Sequence, residues 1–218
     1  MAIKILTASL SMLCVVSSLV FAGEDIGLDE LLSKMEARDK NINSVQFDFR
    51  QEIEYTLTGE KQESDGSVSF QKPDKIVIRQ EQPVAQSIIT DGSKVWVYTP
   101  SYNQVITDNW NKWIKSSAVP ASLLNFGNDM NELKKNYSFA YAGVEENSYK
   151  LLLSPRNGGE WQLELWIDTA TYVPLRTRLS GDTVAVTTRT ENYQINPALS
   201  RTMFTFKPPK GTEVLHLP

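Results

Sequence analysis

The sequence predicts a mainly β protein with helices, an α+β chain whose one curved antiparallel sheet forms an open, incomplete barrel of about 11 strands. Three observations predict it. From Gly66 to Pro100, short apolar runs alternate with polar residues at a period of two, and Lys72-Pro73, Gln82-Pro83 and Asp91-Gly92 punctuate them. A second series of strand-like runs extends from Tyr137 to Tyr193. Apart from the N-terminal leader, alternation fails in an amphipathic stretch after Leu28 and in an insertion between Asn109 and Tyr137, and helices there must cover a sheet face or plug its mouth.

Residues 1–22 read as a secretory signal peptide. Lys4 precedes an apolar run from Ile5 to Phe21, and Val20-Phe21-Ala22 offers small residues ahead of Gly23-Glu24-Asp25. A membrane anchor is the competing reading, but Thr7, Ser9, Ser11, Ser17 and Ser18 interrupt the run and its length barely spans a bilayer. The one cysteine, Cys14, lies inside this segment; as a lipidation site it would leave apolar Val15 to Ala22 on the mature chain, so it reads as a small apolar signal residue. Without it, disulfides, thiolate metal sites and cysteine nucleophiles drop out together. Residues 23–218 then form a single domain. Of the 218 residues, 22 are Lys or Arg and 26 Asp or Glu, for a net charge of −4 that becomes −5 once Lys4 leaves with the signal. Scattered cations without a basic run exclude nucleic acid as a partner. The expectation is an exported, soluble protein, monomeric or weakly associating.

Each element has its own signal. Leu28, Leu31, Leu32 and Met35 recur at helical spacing, with Ile42 further on and Asp29, Glu30, Lys34 and Glu36 opposite; Asn41 to Ser44 ends this helix. Val45, Phe47 and Phe49 alternate with Gln46, Asp48 and Arg50 in a strand expected to continue through Tyr55 and Leu57, before a turn at Gly59. Val68 with Phe70, then Ile76 with Ile78, mark the next two strands. Ser87 to Thr90 meets the Asp91-Gly92 turn, and Lys94 to Tyr98, which holds Trp96 and Tyr98, returns. Tyr102 to Thr107 reads as one more strand. In the insertion, short helices are expected over roughly Pro120 to Asn125 and Asn128 to Lys135, separated by Gly127 and carrying Leu123, Leu124 and Phe126. The second series comprises Tyr137 to Tyr141, Ser148 to Leu153, Trp161 to Ile167, Val173 to Leu179 and Thr183 to Tyr193, with turns at Asn157-Gly158-Gly159 and Ser180-Gly181-Asp182. Trp161, Leu163, Leu165 and Ile167 give one wholly apolar face, opposite Gln162, Glu164, Trp166 and Asp168. Proline-rich Lys207 to Gly211 closes the domain.

The chemical inventory argues against an enzyme. The sole histidine, His216, sits in what reads as a frayed tail, so a Ser-His-Asp triad has no good base. H-E-x-x-H, G-x-S-x-G and phosphate-cradling glycine loops are missing from the sequence. Glu145-Glu146, Asp129 with Glu132, and Glu24-Asp25 lie in turn-like polar runs where carboxylates are ordinarily solvated. No cofactor and no metal is expected. The surplus is apolar and aromatic: a sheet covered by only a few helical turns either encloses a cavity suited to acyl chains, at about 0.8 kcal/mol per buried methylene, or packs into an ordinary core. The residues alone leave both open.

The order of these signals resembles a known family. The succession Gly66, strand, Lys72-Pro73, apolar strand, Pro83, strand, Asp91-Gly92, Val95-Trp96-Val97-Tyr98 and Tyr102-Asn103-Gln104-Val105 is similar to that of the periplasmic lipoprotein carrier family LolA. Phe49-Arg50-Gln51 resembles its early F-x-Q, and Phe204 to Gly211 its closing F-x-F-x-P-P-x-G. The resemblance implies a periplasmic carrier that takes acylated lipoproteins from an inner-membrane ABC transporter complex, shields their chains in a hydrophobic cavity, and passes them to an outer-membrane receptor. It implies a lining drawn from Phe47, Phe49, Val68, Phe70, Ile76, Ile78, Trp96, Tyr98, Leu123, Leu124, Phe126, Leu163 and Leu165, under a central helical lid. In the family, an arginine before the proline of the second strand latches the lid; Lys72 stands there, with the charge but without the planar fork of donors. Ile78 replaces a family aromatic, and Val77 a polar residue. The alternative is a lipid- or lipoprotein-sensing module of the same fold, of the envelope-stress regulator type. If the strand face of Ile76 and Ile78 lines a cavity, Ile76→Glu is expected to stay folded and to handle acyl chains poorly.

Overall fold

The structure, a computed structural model, describes residues 26–116 and 130–216. Helix α1 (Leu28–Lys40) precedes strands β1 (Ser44–Tyr55), β2 (Lys61–Gln71), β3 (Lys75–Gln82), β4 (Gln86–Thr90), β5 (Lys94–Thr99) and β6 (Gln104–Asn109). Helices α2 (Trp110–Ser116) and α3 (Met130–Asn136) follow, then β7 (Tyr137–Glu145), β8 (Ser148–Pro155), β9 (Gln162–Asp168), β10 (Pro174–Ser180), β11 (Val184–Ile195) and β12 (Glu213–His216). These form one 12-stranded sheet in the order β12-β6-β5-β4-β3-β2-β1-β11-β10-β9-β8-β7, antiparallel except where β12 runs parallel to β6. Its terminal strands β12 and β7 do not pair with each other, so the barrel is open. The long β1 is the hinge of the topology, pairing with β2 on one side and with β11 on the other.

Alternation explains the strands, and the helical spacing of Leu28, Leu31, Leu32 and Met35 explains the helix. Asp29 and Glu30 in the first turn of α1 and Arg38 and Lys40 in the last suit the helix dipole. Its end is tied to the sheet: the Asn196 carboxamide oxygen accepts from the Asn43 amide at 2.7 Å, and its nitrogen donates to the Asn41 carbonyl at 2.9 Å. Gly66 permits a close crossing, since a Cβ there would stand 2.0 Å from the Arg79 carbonyl oxygen and 2.8 Å from Cζ of Phe49.

Hydrophobic clusters lie on both faces. On the face that carries the helices, Leu31 and Leu32 of α1 pack with Tyr149, Leu151, Leu153, Leu163 and Ile167. On the same face, Trp110 of α2 and Ile42 pack with Val45, Phe47, Val68, Phe70, Ile76 and Val95. On the opposite face, Val77 and Ile89 are covered by Phe204 from a 3-10 turn (Arg201–Phe204), with Trp96, Met203 and Phe206 beside them.

Several expectations are corrected. The open barrel of about 11 strands is as expected, with 12 described strands; the additional β12 carries no alternation, and it is held by Asn103, whose side chain donates to the Gly211 carbonyl at 2.9 Å. His216 therefore belongs to a paired strand, opposite Thr107, and not to a frayed tail. Leu57 lies in a turn beyond β1, 84 % exposed, and Tyr102 lies in a 3-10 turn (Pro100–Tyr102) before β6. Helix α2 was not anticipated; Trp110 and Trp113, three residues apart, stack with centroids 5.5 Å apart. The helix expected over Pro120 to Asn125 lies outside the described residues, as do Leu123, Leu124 and Phe126, and α3 overlaps the second expected helix, ending at Asn136, one residue beyond it.

Candidate functional site

Cross-strand register gathers the inner-face residues into rows. One row runs Val45, Phe70, Ile76 and the next runs Phe47, Val68, Ile78, Ile88, Val97. Phe49 follows two residues after Phe47, packed against the same cluster, and Phe47 stacks on Tyr193 at 5.7 Å. Farther along β1, Gln51 registers with Thr188, Thr188 with Thr177, Thr177 with Leu165, and Leu165 with Leu151. Ile53 leads likewise through Val186 and Leu179 to Leu163 and Leu153. The two helix-covered clusters are thus the ends of one continuous inner surface.

Its middle is only half buried. Phe49, Ile53, Ile78, Ile88, Val97, Leu165, Leu179 and Val186 retain partial exposure, while Phe70, Ile76, Leu151 and Ile167 are sealed by packing. An apolar surface left partly bare inside a folded domain is a candidate binding groove, because burying it is favourable and neighbouring side chains have not done so. The sequence pattern pairs Ile76 with Ile78, yet they differ: Ile76 is 4 % exposed in a packed cluster, so the expectation that Ile76→Glu stays folded is revised, and Ile78 is the residue at the groove.

The structure places eight of the residues expected to line a cavity on the inner face and two on the opposite one, while Leu123, Leu124 and Phe126 lie outside the described residues. Phe47, Phe49, Val68, Phe70, Ile76 and Ile78 share one end of the inner face; Leu163 and Leu165 share the other, Leu163 lying under α1. Trp96 and Tyr98 are corrected to the opposite face, where Trp96 packs by Phe204 and the Tyr98 ring meets Phe206 at 5.2 Å. Lys72 donates to the Asp39 carbonyl at 2.7 Å and to its carboxylate at 3.1 Å, which fastens the β2–β3 turn to the last turn of α1. Sequence reading missed Ile53, Ile88, Val97, Leu179 and Val186. For Ile53, Leu179 and Val186 the signal was present, since each continues the two-residue alternation of its strand, whereas Ile88 and Val97 lie in runs apolar at consecutive positions.

Charge is sorted by face. Across β1, β2, β8, β9, β10 and β11 the inner positions are apolar or neutral, whereas the outer ones hold the Lys150–Glu164, Lys61–Glu52, Arg178–Glu54 and Arg50–Glu191 pairs at 2.8, 3.0, 3.2 and 3.4 Å. Trp166, expected to face outward with Glu164, does so, and it is buried there because Lys150 and Arg176 flank its ring at 4.7 and 4.1 Å. On the inner side, burial pushes the Tyr193 hydroxyl up to about 12, with Asp39 adding to the rise and Arg38 opposing it. Among the described residues no group of metal-ligating side chains converges, and no helix is long and apolar enough to cross a membrane.

Comparison with known proteins gives a consistent answer. Residues 40–207 match the family model described as outer membrane lipoprotein carrier protein LolA. The outer-membrane lipoprotein carrier protein of Dechloromonas aromatica is 29 % identical over 180 residues, covering 81 % of this chain and 83 % of its own. That of Halorhodospira halophila is 29 % identical over 188 residues, covering 84 % of each. An uncharacterized conserved protein from Thermus thermophilus shares the fold, with a TM-score of 0.57 at 15 % identity over 87 % of this chain and 98 % of its own.

Proposed function

The chain belongs to the outer membrane lipoprotein carrier family LolA, and on that premise we propose that it shields the acyl chains of lipoproteins in the groove of its inner sheet face and carries them through the periplasm. The partly bare apolar line from Ile78 through Phe49 to Leu165 is the observation that carries this reading. Moving an acyl chain from water onto such a surface gains about 0.8 kcal/mol per methylene, enough to hold a long chain without covalent chemistry, cofactor or metal. The neutral inner face suits the task, because a charge there would lose its hydration to no partner. In this reading residues 1–22 are removed on export, the mature chain starts at Gly23 and acts as a monomer, an inner-membrane ABC transporter complex loads it, and an outer-membrane receptor unloads it.

The test is native mass spectrometry of the mature chain purified from the periplasm, followed by titration with a triacylated lipopeptide. The expected result is a chain starting at Gly23 that binds one acylated species, and displacement of a bound fluorescent fatty acid by the lipopeptide. A chain that copurifies with no acylated species and ignores the lipopeptide overturns the reading. A protein that binds the lipopeptide yet passes none to outer-membrane vesicles holding the receptor is a sensing module instead.

A further inference from the structure

The inner face is not uniformly apolar. Midway between its two clusters, Ser64, Gln51, Thr188 and Thr177 stand side by side on β2, β1, β11 and β10, a neutral polar ribbon that crosses the groove. Phe49 borders it along β1 and Leu165 borders it along the row. The ribbon is internally oriented: Ser64 Oγ donates to Gln51 Oε1 at 3.5 Å, and Gln51 Nε2 donates to Thr188 Oγ1 at 3.1 Å.

This arrangement occupies one lone pair on each of two acceptors and leaves donors over. Gln51 Oε1 and Thr188 Oγ1 are both engaged, whereas the second Gln51 amide hydrogen and the Thr188 hydroxyl proton are not needed for these bonds. The Thr177 hydroxyl has no hydrogen-bond partner among the described residues. Gln51, Thr177 and Thr188 are half buried, so a guest reaches them. Neighbouring strands are about 4.8 Å apart, a spacing comparable to that between the carbonyl oxygens of two ester groups on one glyceryl unit. Every charged side chain on these strands faces the other way, so a phosphate or free carboxylate placed here would meet no cation from the strands that form the ribbon.

We propose that this ribbon is a carbonyl-binding subsite: Gln51, Thr188 and Thr177 donate to the ester and amide oxygens of an uncharged acyl anchor, whose chains run off toward Phe49 on one side and Leu165 on the other. The subsite rests on the carrier reading and adds to it a chemical preference, for neutral acyl-glyceryl linkages over phospholipids and over chains without carbonyls.

Three probes test it on the mature chain: a peptide carrying dipalmitoylglyceryl cysteine, its dialkyl ether analogue of equal chain length, and dipalmitoyl phosphatidic acid. Affinities are read by displacement of a fluorescent fatty acid. One to two neutral hydrogen bonds correspond to a diester preference of roughly tenfold over the diether, with phosphatidic acid weaker than both. Gln51→Leu with Thr188→Val brings the diester-to-diether ratio close to one. Should that pair fail to fold, Thr177→Val serves alone: its hydroxyl bonds to nothing described, so the melting temperature stays and the ratio falls by about threefold. Diester and diether binding the parent equally, phosphatidic acid competing with the diester, or an unchanged ratio in a folded variant each overturn the subsite while the carrier reading stands. Binding of none of the three removes both.

Discussion

Ile76 and Ile78 offer the sharpest test of which part of the inner face is groove and which is core. They share β3 and one face, but Ile76 sits between Phe70 and Thr90, which are themselves buried, whereas Ile78 sits between Val68 and half-buried Ile88. Glutamate at position 76 forfeits about 2–3 kcal/mol of apolar burial and places a carboxylate in a cluster of aromatic and aliphatic side chains, at a further cost of several kcal/mol. Against a total stability of about 5–15 kcal/mol, that leaves a variant unfolded or melting far below the parent. At position 78 the carboxylate reaches water and the loss is about 1 kcal/mol, a shift of about 2–4 °C for a domain of this size. The same charge stands at the groove wall, so Ile78→Glu lowers the affinity for a fluorescent fatty acid by at least roughly tenfold, the equivalent of 1.4 kcal/mol. Melting and probe titration on the two variants read both effects. Equal melting losses would place Ile78 in the core, and an Ile78→Glu protein that binds the probe like the parent would take this row out of the site.

Three further outcomes follow from local geometry. Gly66→Ala drives a Cβ into the Arg79 backbone, which cannot swing aside, so a loss of about 3 kcal/mol or more is expected in urea unfolding. Lys72→Ala removes the charge-assisted bonds to Asp39 and costs about 1.5–3 kcal/mol, most of which Lys72→Arg restores; equal melting of all three proteins would dismiss the α1 tie. Tyr193 has a folded-state pKa raised to about 12 by burial, above the ordinary value of about 10, so its stabilisation is full below pH 10 and drains as pH rises from 10 to 12. Denaturant midpoints across that window should fall more steeply in the parent than in Tyr193→Phe, by up to about 2–3 kcal/mol at its top.

Where one face of a strand is buried and the other wet, alternation in the sequence was enough: β1 reads Val45, Phe47, Phe49 inward and Gln46, Asp48, Arg50 outward, and the register agrees. It failed where both faces are covered. In β3 to β5, Val77, Ile89 and Trp96 lie beneath Phe204 and Phe206, so the runs are apolar on both sides and parity cannot tell groove from underside. That is why Trp96 and Tyr98 were grouped with the lining; the clue was distant in sequence, since the closing Phe204 and Phe206 need an apolar landing place. The polar ribbon was illegible for another reason. Gln51, Ser64, Thr177 and Thr188 each look like an ordinary surface residue, and only the pairing of β1 with β11 brings the halves of the chain together.

The sorting of charge also bears on how such a groove lets go. Each buried charge pair fixes a guest by direction and distance, and breaking it costs several kcal/mol in one step. Apolar contact is lost gradually, methylene by methylene. On the proposed carrier function, a groove lined by Phe49, Ile78 and Leu165 with only neutral donors between them would hold its cargo in proportion to chain length and release it progressively to a receptor offering a similar surface. The ion pairs of the outer face, among them Lys150 with Glu164 and Arg178 with Glu54, lie on the other side of the same strands. There they support the sheet away from its inner face, and electrostatic screening by salt should leave the diester affinity unchanged within about twofold between 0.05 and 0.5 M salt, because the strands that carry the polar ribbon present no charge to it. A steep salt dependence of probe binding, measured by the same displacement titration, would mean that a charged side chain reaches the groove and that the neutrality of the inner face is not what governs binding.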